Sequence, residues 1–167
     1  VAGGALQQTN NIGDGDGSRT GVPKLGSLAI AGPVLTDQEL RVRVRNDDND
    51  AFGAVLRYQD PQNYYRFSLD AERHYRRLVR VVQGQWTVLW EDDNDFLPGL
   101  WNELQFSAQG DRLRVQWNGL CLCDVHDSAL GQGRAGVYCW ASTPVLFDDF
   151  VVQAPPIPRA VTVAIAS

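Results

Sequence analysis

Apolar and polar residues alternate with a period of two along much of this chain, most plainly in Leu40-Arg41-Val42-Arg43-Val44-Arg45. Successive strand side chains point to opposite faces, so the aliphatics face a core and the arginines face away from it, as in a half-buried antiparallel strand. Phe52–Tyr58 repeats the pattern, with Phe52, Ala54, Leu56 and Tyr58 on one side. Tyr64–Leu69 comes after Asp60-Pro61-Gln62-Asn63, a turn in which proline fixes one dihedral while Asp and Asn bond the backbone locally. The same reading predicts strands at Tyr75–Val82, Trp86–Trp90, Asn102–Ser107, Arg112–Trp117, Leu120–Val125, Ala135–Trp140 and Leu146–Gln153.

The joints carry turn chemistry at Gln83-Gly84, Pro98-Gly99, Gly110-Asp111 and Asn118-Gly119. Asn118-Gly119 is the strongest hairpin signal, because both residues tolerate the positive φ of a two-residue turn. About ten strands with no amphipathic helix between them predict an all-β fold of two packed antiparallel sheets. Residues 1–24 read as an irregular polar lead-in, 25–153 as the sandwich, and 154–167 as a proline-rich exit or linker. Within the exit, Ala160–Ser167 is either an extra strand or the start of a further segment.

With 167 residues, the chain suits one domain. It contains no methionine, which implies a processed protein or a segment of a larger one, and a secreted or cell-surface setting is expected. No stretch is apolar enough to span a bilayer, and no signal peptide is present. The net charge of -5 divides unevenly: the bases, nearly all arginine, lie in strands, while the acids gather in turns. No basic run has the length of a nucleic-acid arm. Cys121 and Cys123, two apart in a strand, would share a face near Cys139; one disulfide plus a free thiol and three reduced buried thiols both fit. Cys-x-Cys lacks the usual zinc spacing.

Carboxylates as dense as those of Asp47-Asp48-Asn49-Asp50 repel one another unless screened, which suggests a hard-cation site at the rim of a sheet. Glu91-Asp92-Asp93-Asn94-Asp95 reads more simply as a solvated turn, and Gly13-Asp14-Gly15-Asp16-Gly17 as a flexible lead-in rather than a calcium loop. Catalysis finds little support. His126 and Asp127 are strand neighbours that point to opposite faces, His74 sits in an arginine-rich surface segment, and no serine elbow or Cys-His arrangement accompanies them.

Binding fits better. Aromatic rings can meet the C–H face of a sugar, and Tyr64, Trp86, Trp90, Tyr138 and Trp140 are candidates, although core filling accounts for many such rings. If Arg57, Arg66, Arg77 or Arg114 shares the face of Arg41, Arg43 and Arg45, a basic patch results that favours sulfated or carboxylated polysaccharide or an acidic protein surface. The alternative is a ladder of arginines paired with carboxylates across strands. The candidate ligand residues are Arg57, Tyr64, Arg66, Trp90 and Trp140.

Several motifs occur in a specific order: Asp-Asp-Asn-Asp-Ala-Phe-Gly from Asp47, Arg57-Tyr58-Gln59-Asp60, Asn63-Tyr64-Tyr65-Arg66-Phe67, Arg76-Arg77-Leu78, Gly136-Val137-Tyr138 and Phe147-Asp148-Asp149-Phe150. On these, the chain from about Gly26 to Gln153 resembles bacterial modules of the concanavalin A-like lectin/glucanase superfamily, which also holds laminin-G-like and thrombospondin C-terminal lectin-like domains. The resemblance implies a jelly-roll β-sandwich, often with structural calcium and often inside a large extracellular protein. It places metal ligands at Asp47, Asp48, Asn49, Asp50, Asp148 and Asp149. The chain departs from the glucanase branch: Glu72, Glu91 and Glu103 stand singly, without the paired carboxylates of glycoside hydrolysis. The expectation is a non-catalytic, calcium-binding, lectin-like module that recognises carbohydrate. The alternative is a structural or adhesive domain that contacts neighbouring domains or protein partners.

Overall fold

The computed structural model describes residues 4–155. Twelve strands make up its regular structure: β1 (Leu6–Gln8), β2 (Ser27–Leu35), β3 (Gln38–Asn46), β4 (Phe52–Asp60), β5 (Asn63–Asp70), β6 (Tyr75–Val82), β7 (Gln85–Asp92), β8 (Trp101–Gln109), β9 (Arg112–Trp117), β10 (Leu120–His126), β11 (Gly133–Cys139) and β12 (Val145–Gln153). They form two six-stranded antiparallel sheets, ordered β1-β12-β3-β8-β9-β10 and β2-β11-β4-β5-β6-β7. This is a jelly-roll sandwich. No described helix is long and apolar enough to cross a membrane.

Alternation places the core. Leu40, Val42 and Val44 of β3 face inward, against Phe52, Ala54 and Leu56 of β4 and Tyr65, Phe67 and Leu69 of β5. Phe52 meets Phe96 edge-on, with ring centres 4.7 Å apart. Asn118 and Gly119 both take positive φ, 50° and 79°, in the tight turn between β9 and β10.

Two strands escape the sequence pattern. β1 is three residues long and exists by pairing with β12; β2 contains Gly32 and Pro33 and lies at a sheet edge, where a missing backbone donor is tolerated. Trp140, expected as a strand end, lies just beyond β11. Of the exit, only Ala154 and Pro155 are described, without regular structure; residues 156–167, including Ala160–Ser167, lie outside the described residues.

Bulges overturn several expected side-chain directions. A bulge between Cys121 and Cys123 leaves Cys121 exposed and Cys123 buried, so the two do not share a face. Cys139 belongs to the opposite sheet, and all three cysteines are free thiols. In β4, Arg57 takes φ 49° next to a register shift, which carries Tyr58 away from the side of Phe52, Ala54 and Leu56 and onto the outer cluster of the second sheet.

Candidate functional site

A second cluster of buried residues lies on the outer face of the β2-β11-β4-β5-β6-β7 sheet. Ala51, Val55, Tyr64, Val81, Tyr138 and Trp140 form it, with Leu28, Ile30, Tyr58, Trp86 and Ala141 packed around them. Residues 14–25 cross one half of this face. Arg66 donates to the carbonyls of Lys24 (2.5 Å) and Val22 (3.1 Å), Arg77 to those of Gly21 (3.1 Å) and Arg19 (2.6 Å), and Trp140 Nε1 to that of Asp14 (2.7 Å). The lead-in is therefore tied down through its backbone, although largely irregular. Lys24 is fully buried beneath it, with its ammonium on the carbonyls of Asp16 and Ser18; burial lowers its pKa to about 8.

The other half of the face stays open. There the rings of Tyr58 and Tyr64 lie 5.7 Å apart and Trp86 meets Tyr64 edge-on at 6.0 Å. Tyr58 and Trp86 are half-buried, so part of each ring meets solvent, while Tyr64 is buried. Arg66 is sandwiched under this group, its guanidinium carbon 4.8 Å from the centre of Trp86 and 4.3 Å from that of Tyr138. Such stacking holds the rings at fixed orientation. Arg66 Nε, Ser68 Oγ and Tyr75 Oη, in the same floor, are buried with no protein partner among the described residues.

The sequence-derived ligand set divides. Tyr64, Arg66 and Trp140 do share this face, but Trp140 is buried, with Lys24 and Arg73 over its ring at 4.5 and 4.7 Å. Trp90 turns the other way, into the inter-sheet core beside Phe67. Arg57 lies apart from this face: it is buried at an end of the sandwich, where it donates to the carbonyls of Thr36, Leu130 and Gly110. Sequence reasoning missed Tyr58, whose exposure depends on the twist at Arg57.

The acidic turn is a structural knot, and its carboxylates already have partners. Asp47 pairs with Arg45 (2.6 and 2.9 Å). Asp48 accepts from the amides of Asn49 (2.8 Å) and Thr143 (3.0 Å). The Asn49 carbonyl accepts from Ala71 and Glu72. Asp50 pairs with Arg73 at 2.6 Å, and burial raises its pKa. Asp148 lies opposite Arg43, three residues up β3 from Asn46, or roughly 10 Å at the usual strand rise, and Asp149 follows it in a bulge. Asp148 accepts from the Asp149 amide, and Asp149 faces Arg43 at 3.5 Å. The two acidic segments are not brought together as the resemblance implied, and among the described residues no group of three His, Cys, Asp or Glu side chains could hold a metal ion. These donors do not fit calcium.

Other acids are likewise engaged. Glu91 pairs with Arg77 at 2.5 Å, Asp92 with Arg76 at 2.5 Å, and Asp95 with His74 at 2.7 Å. His126 meets Asp111, not its neighbour Asp127.

No protein-family profile matches the chain. Over 109 residues it is 23% identical to a levanase of Bacillus subtilis (strain 168), a match that covers 64% of this chain and 16% of the levanase. Its fold superposes on the carbohydrate-binding module CBM66 from Bacillus subtilis with a TM-score of 0.70 and 19% identity, over 87% of this chain and 98% of the module. The galectin LEC-6 of Caenorhabditis elegans superposes with a TM-score of 0.60 and 17% identity, over 78% of this chain and 92% of the galectin. The chain thus has the concanavalin A-like jelly-roll fold.

Proposed function

We propose that this chain is a non-catalytic carbohydrate-recognition module and that its binding surface is the open, aromatic half of the second sheet's outer face. The observation that carries the reading is the grouping of the half-buried Tyr58 and Trp86 around Tyr64, stiffened from below by Arg66. Rings on strands, held by packing and stacking, give a sugar a flat apolar surface without the cost of ordering it on binding. Likeness of fold to a carbohydrate-binding module and a galectin supports the same reading. Turnover is not part of it: Glu72, Glu91 and Glu103 each have an arginine partner, and Glu39 belongs to the other sheet. Nor is calcium, since the acidic turn spends its carboxylates on arginines and amides. A secreted or cell-surface setting suits a module of this kind.

The test is titration calorimetry against a panel of neutral oligosaccharides that includes levan fragments, with wild type, Tyr58→Ala and Trp86→Ala. Binding by the wild type that falls at least tenfold in both variants, with unfolding still cooperative, supports the proposal. Absence of binding across the panel, or unchanged affinity in both variants, sinks it.

A protein-contact role is the second reading. An apolar slot of about 240 Å³ opens between the sheets, lined by Leu6, Ile30, Val137, Phe147 and Phe150 among others. Concentration-dependent association weakened by Phe150→Ser would favour it.

A further inference from the structure

The outer face of the other sheet holds a polar depression of about 120 Å³. Its floor comes from three adjacent strands. Glu39 of β3 stands opposite Ser107 of β8, which stands opposite Arg114 of β9, and one step along, Gln105 of β8 stands opposite Gln116 of β9. Gln105, Ser107 and Gln116 are half-buried yet make no side-chain hydrogen bond within the described residues, so their amides and hydroxyl face the depression unused.

Arg114 is the unusual member. The face's other arginines have a carboxylate each: Arg41 has Glu103 (3.9 Å), Arg43 has Asp149 (3.5 Å), Arg45 has Asp47 (2.6 Å) and Arg112 has Asp124 (2.5 Å). Asp124 stands opposite Arg114 in the sheet register, but both of its oxygens accept from Arg112, at 2.7 and 2.5 Å. Arg114 is left with the sulfur of Cys121, 3.4 Å from its Nε, and is half-buried without a carboxylate among the described residues. A planar guanidinium presents a fork that fits an oxyanion in bidentate fashion.

The lining is not uniformly cationic, and this selects the ligand. Glu39 lines the same depression and repels a bare anion, while it accepts hydrogen bonds from hydroxyls. Its one side-chain contact is the distant Gln153 amide at 3.5 Å. A ligand satisfying both ends carries a carboxylate for Arg114 and hydroxyls for Glu39, Gln105 and Gln116. We propose that this depression is a second, independent binding site, for a uronate-type acidic sugar unit.

The site and the aromatic surface lie on opposite sheets, so their tests separate. Oligogalacturonate is titrated into wild type, Arg114→Gln and Trp86→Ala, with heparin oligosaccharides and neutral cello-oligosaccharides as further probes. The expected result is oligogalacturonate binding that falls at least tenfold in Arg114→Gln, persists in Trp86→Ala, weakens with added salt, and is not matched by the neutral probe. Arg114→Gln should unfold at the wild-type temperature, since Arg114 has no ion pair to lose. Equal affinity in wild type and Arg114→Gln, loss in Trp86→Ala alone, or no uronate binding overturns the proposal. Tighter binding of heparin oligosaccharides would assign the site to sulfate esters and overturn the carboxylate assignment.

Discussion

The Arg66 guanidinium lies between the rings of Trp86 and Tyr138, 4.8 and 4.3 Å from their centres, and its amino groups are tied to the carbonyls of Lys24 and Val22. One side chain thus fixes both halves of the outer face: it braces the open rings and holds down the segment that covers the rest. Arg66→Lys keeps the charge but loses the plane and the fork. It is expected to cost about 1–3 kcal/mol in urea unfolding, from weakened backbone acceptors and lost stacking. Neutral-saccharide affinity should fall with it. A Lys variant with wild-type stability and affinity would show that stacking does not organise the surface.

Gly53 of β4 stands opposite Ser68 of β5, and a side chain there would run into the Phe67 carbonyl oxygen. Backbone cannot yield as a flexible side chain does. Gly53→Ala is expected to destabilise by about 3 kcal/mol, the upper end for overpacking, with a lower midpoint in chemical denaturation. Gly119→Ala provides the contrast. Its Cβ meets nothing within 4 Å, so only the strain of φ 79° is charged against it.

Sheet architecture was legible where alternation is uninterrupted, as in Leu40 to Arg45, or where turn chemistry is unambiguous, as at Asn118-Gly119. It was not legible where pairing decides. Leu6–Gln8 is too short to show a period and is a strand because β12 lies beside it. Trp86 and Trp90 share parity, and strict alternation would set both on one face. A bulge that pairs Leu78 with Trp90 but Val79 with Val88 sends Trp90 into the core and leaves Trp86 outside. The aromatic surface was therefore half visible: Tyr64 and Arg66 belong to a recognisable motif, whereas Tyr58 and the selection of Trp86 over Trp90 depend on backbone irregularities without a local sequence signature. The acidic turn is a related case. Its density signals a cation, but its cations are Arg45 and Arg73.

Burial of cysteine sets an alkaline limit on stability. The Cys123 thiol, ordinarily near 9.0, is pushed up to about 12 by burial, and Cys139 is raised by the same cause. In the unfolded chain these thiols ionise from about pH 9, while the folded protein keeps them protonated, so the folded state binds more protons and stability falls as pH rises from 9 towards 12. Each such thiol removes on the order of 1 kcal/mol by pH 10. Lys24 acts with the opposite sign: its lowered pKa makes its contribution rise between about 8 and its ordinary 10.5. Urea unfolding at pH 8, 9 and 10 under reducing conditions should show a shallower loss in Cys123→Ala and a steeper one in Lys24→Met. Parallel slopes in all three proteins would contradict these burial effects.

Calcium offers the sharpest contrast between sequence pattern and structure. A divalent ion at Asp47 to Asp50 needs six to eight oxygens, and the turn supplies them only by releasing Arg45, Arg73 and the Thr143 amide from its carboxylates. Asp148 and Asp149, which would complete the shell, lie along β12 beside Arg43. A ligand that binds only the folded state raises the unfolding temperature by mass action, and one that must first break these contacts gives little net gain. Millimolar calcium or a chelator is therefore expected to leave the unfolding temperature within about 1 °C of the untreated protein, under the roughly 2–4 °C that about 1 kcal/mol shifts a domain of this size. Asp50→Asn is expected to lower it, because the half-buried pair with Arg73 is lost while no metal is involved. A calcium-dependent rise of several degrees that Asp48→Asn abolishes would mean that the turn opens to bind the ion, and that the arginine contacts seen here belong to its metal-free form.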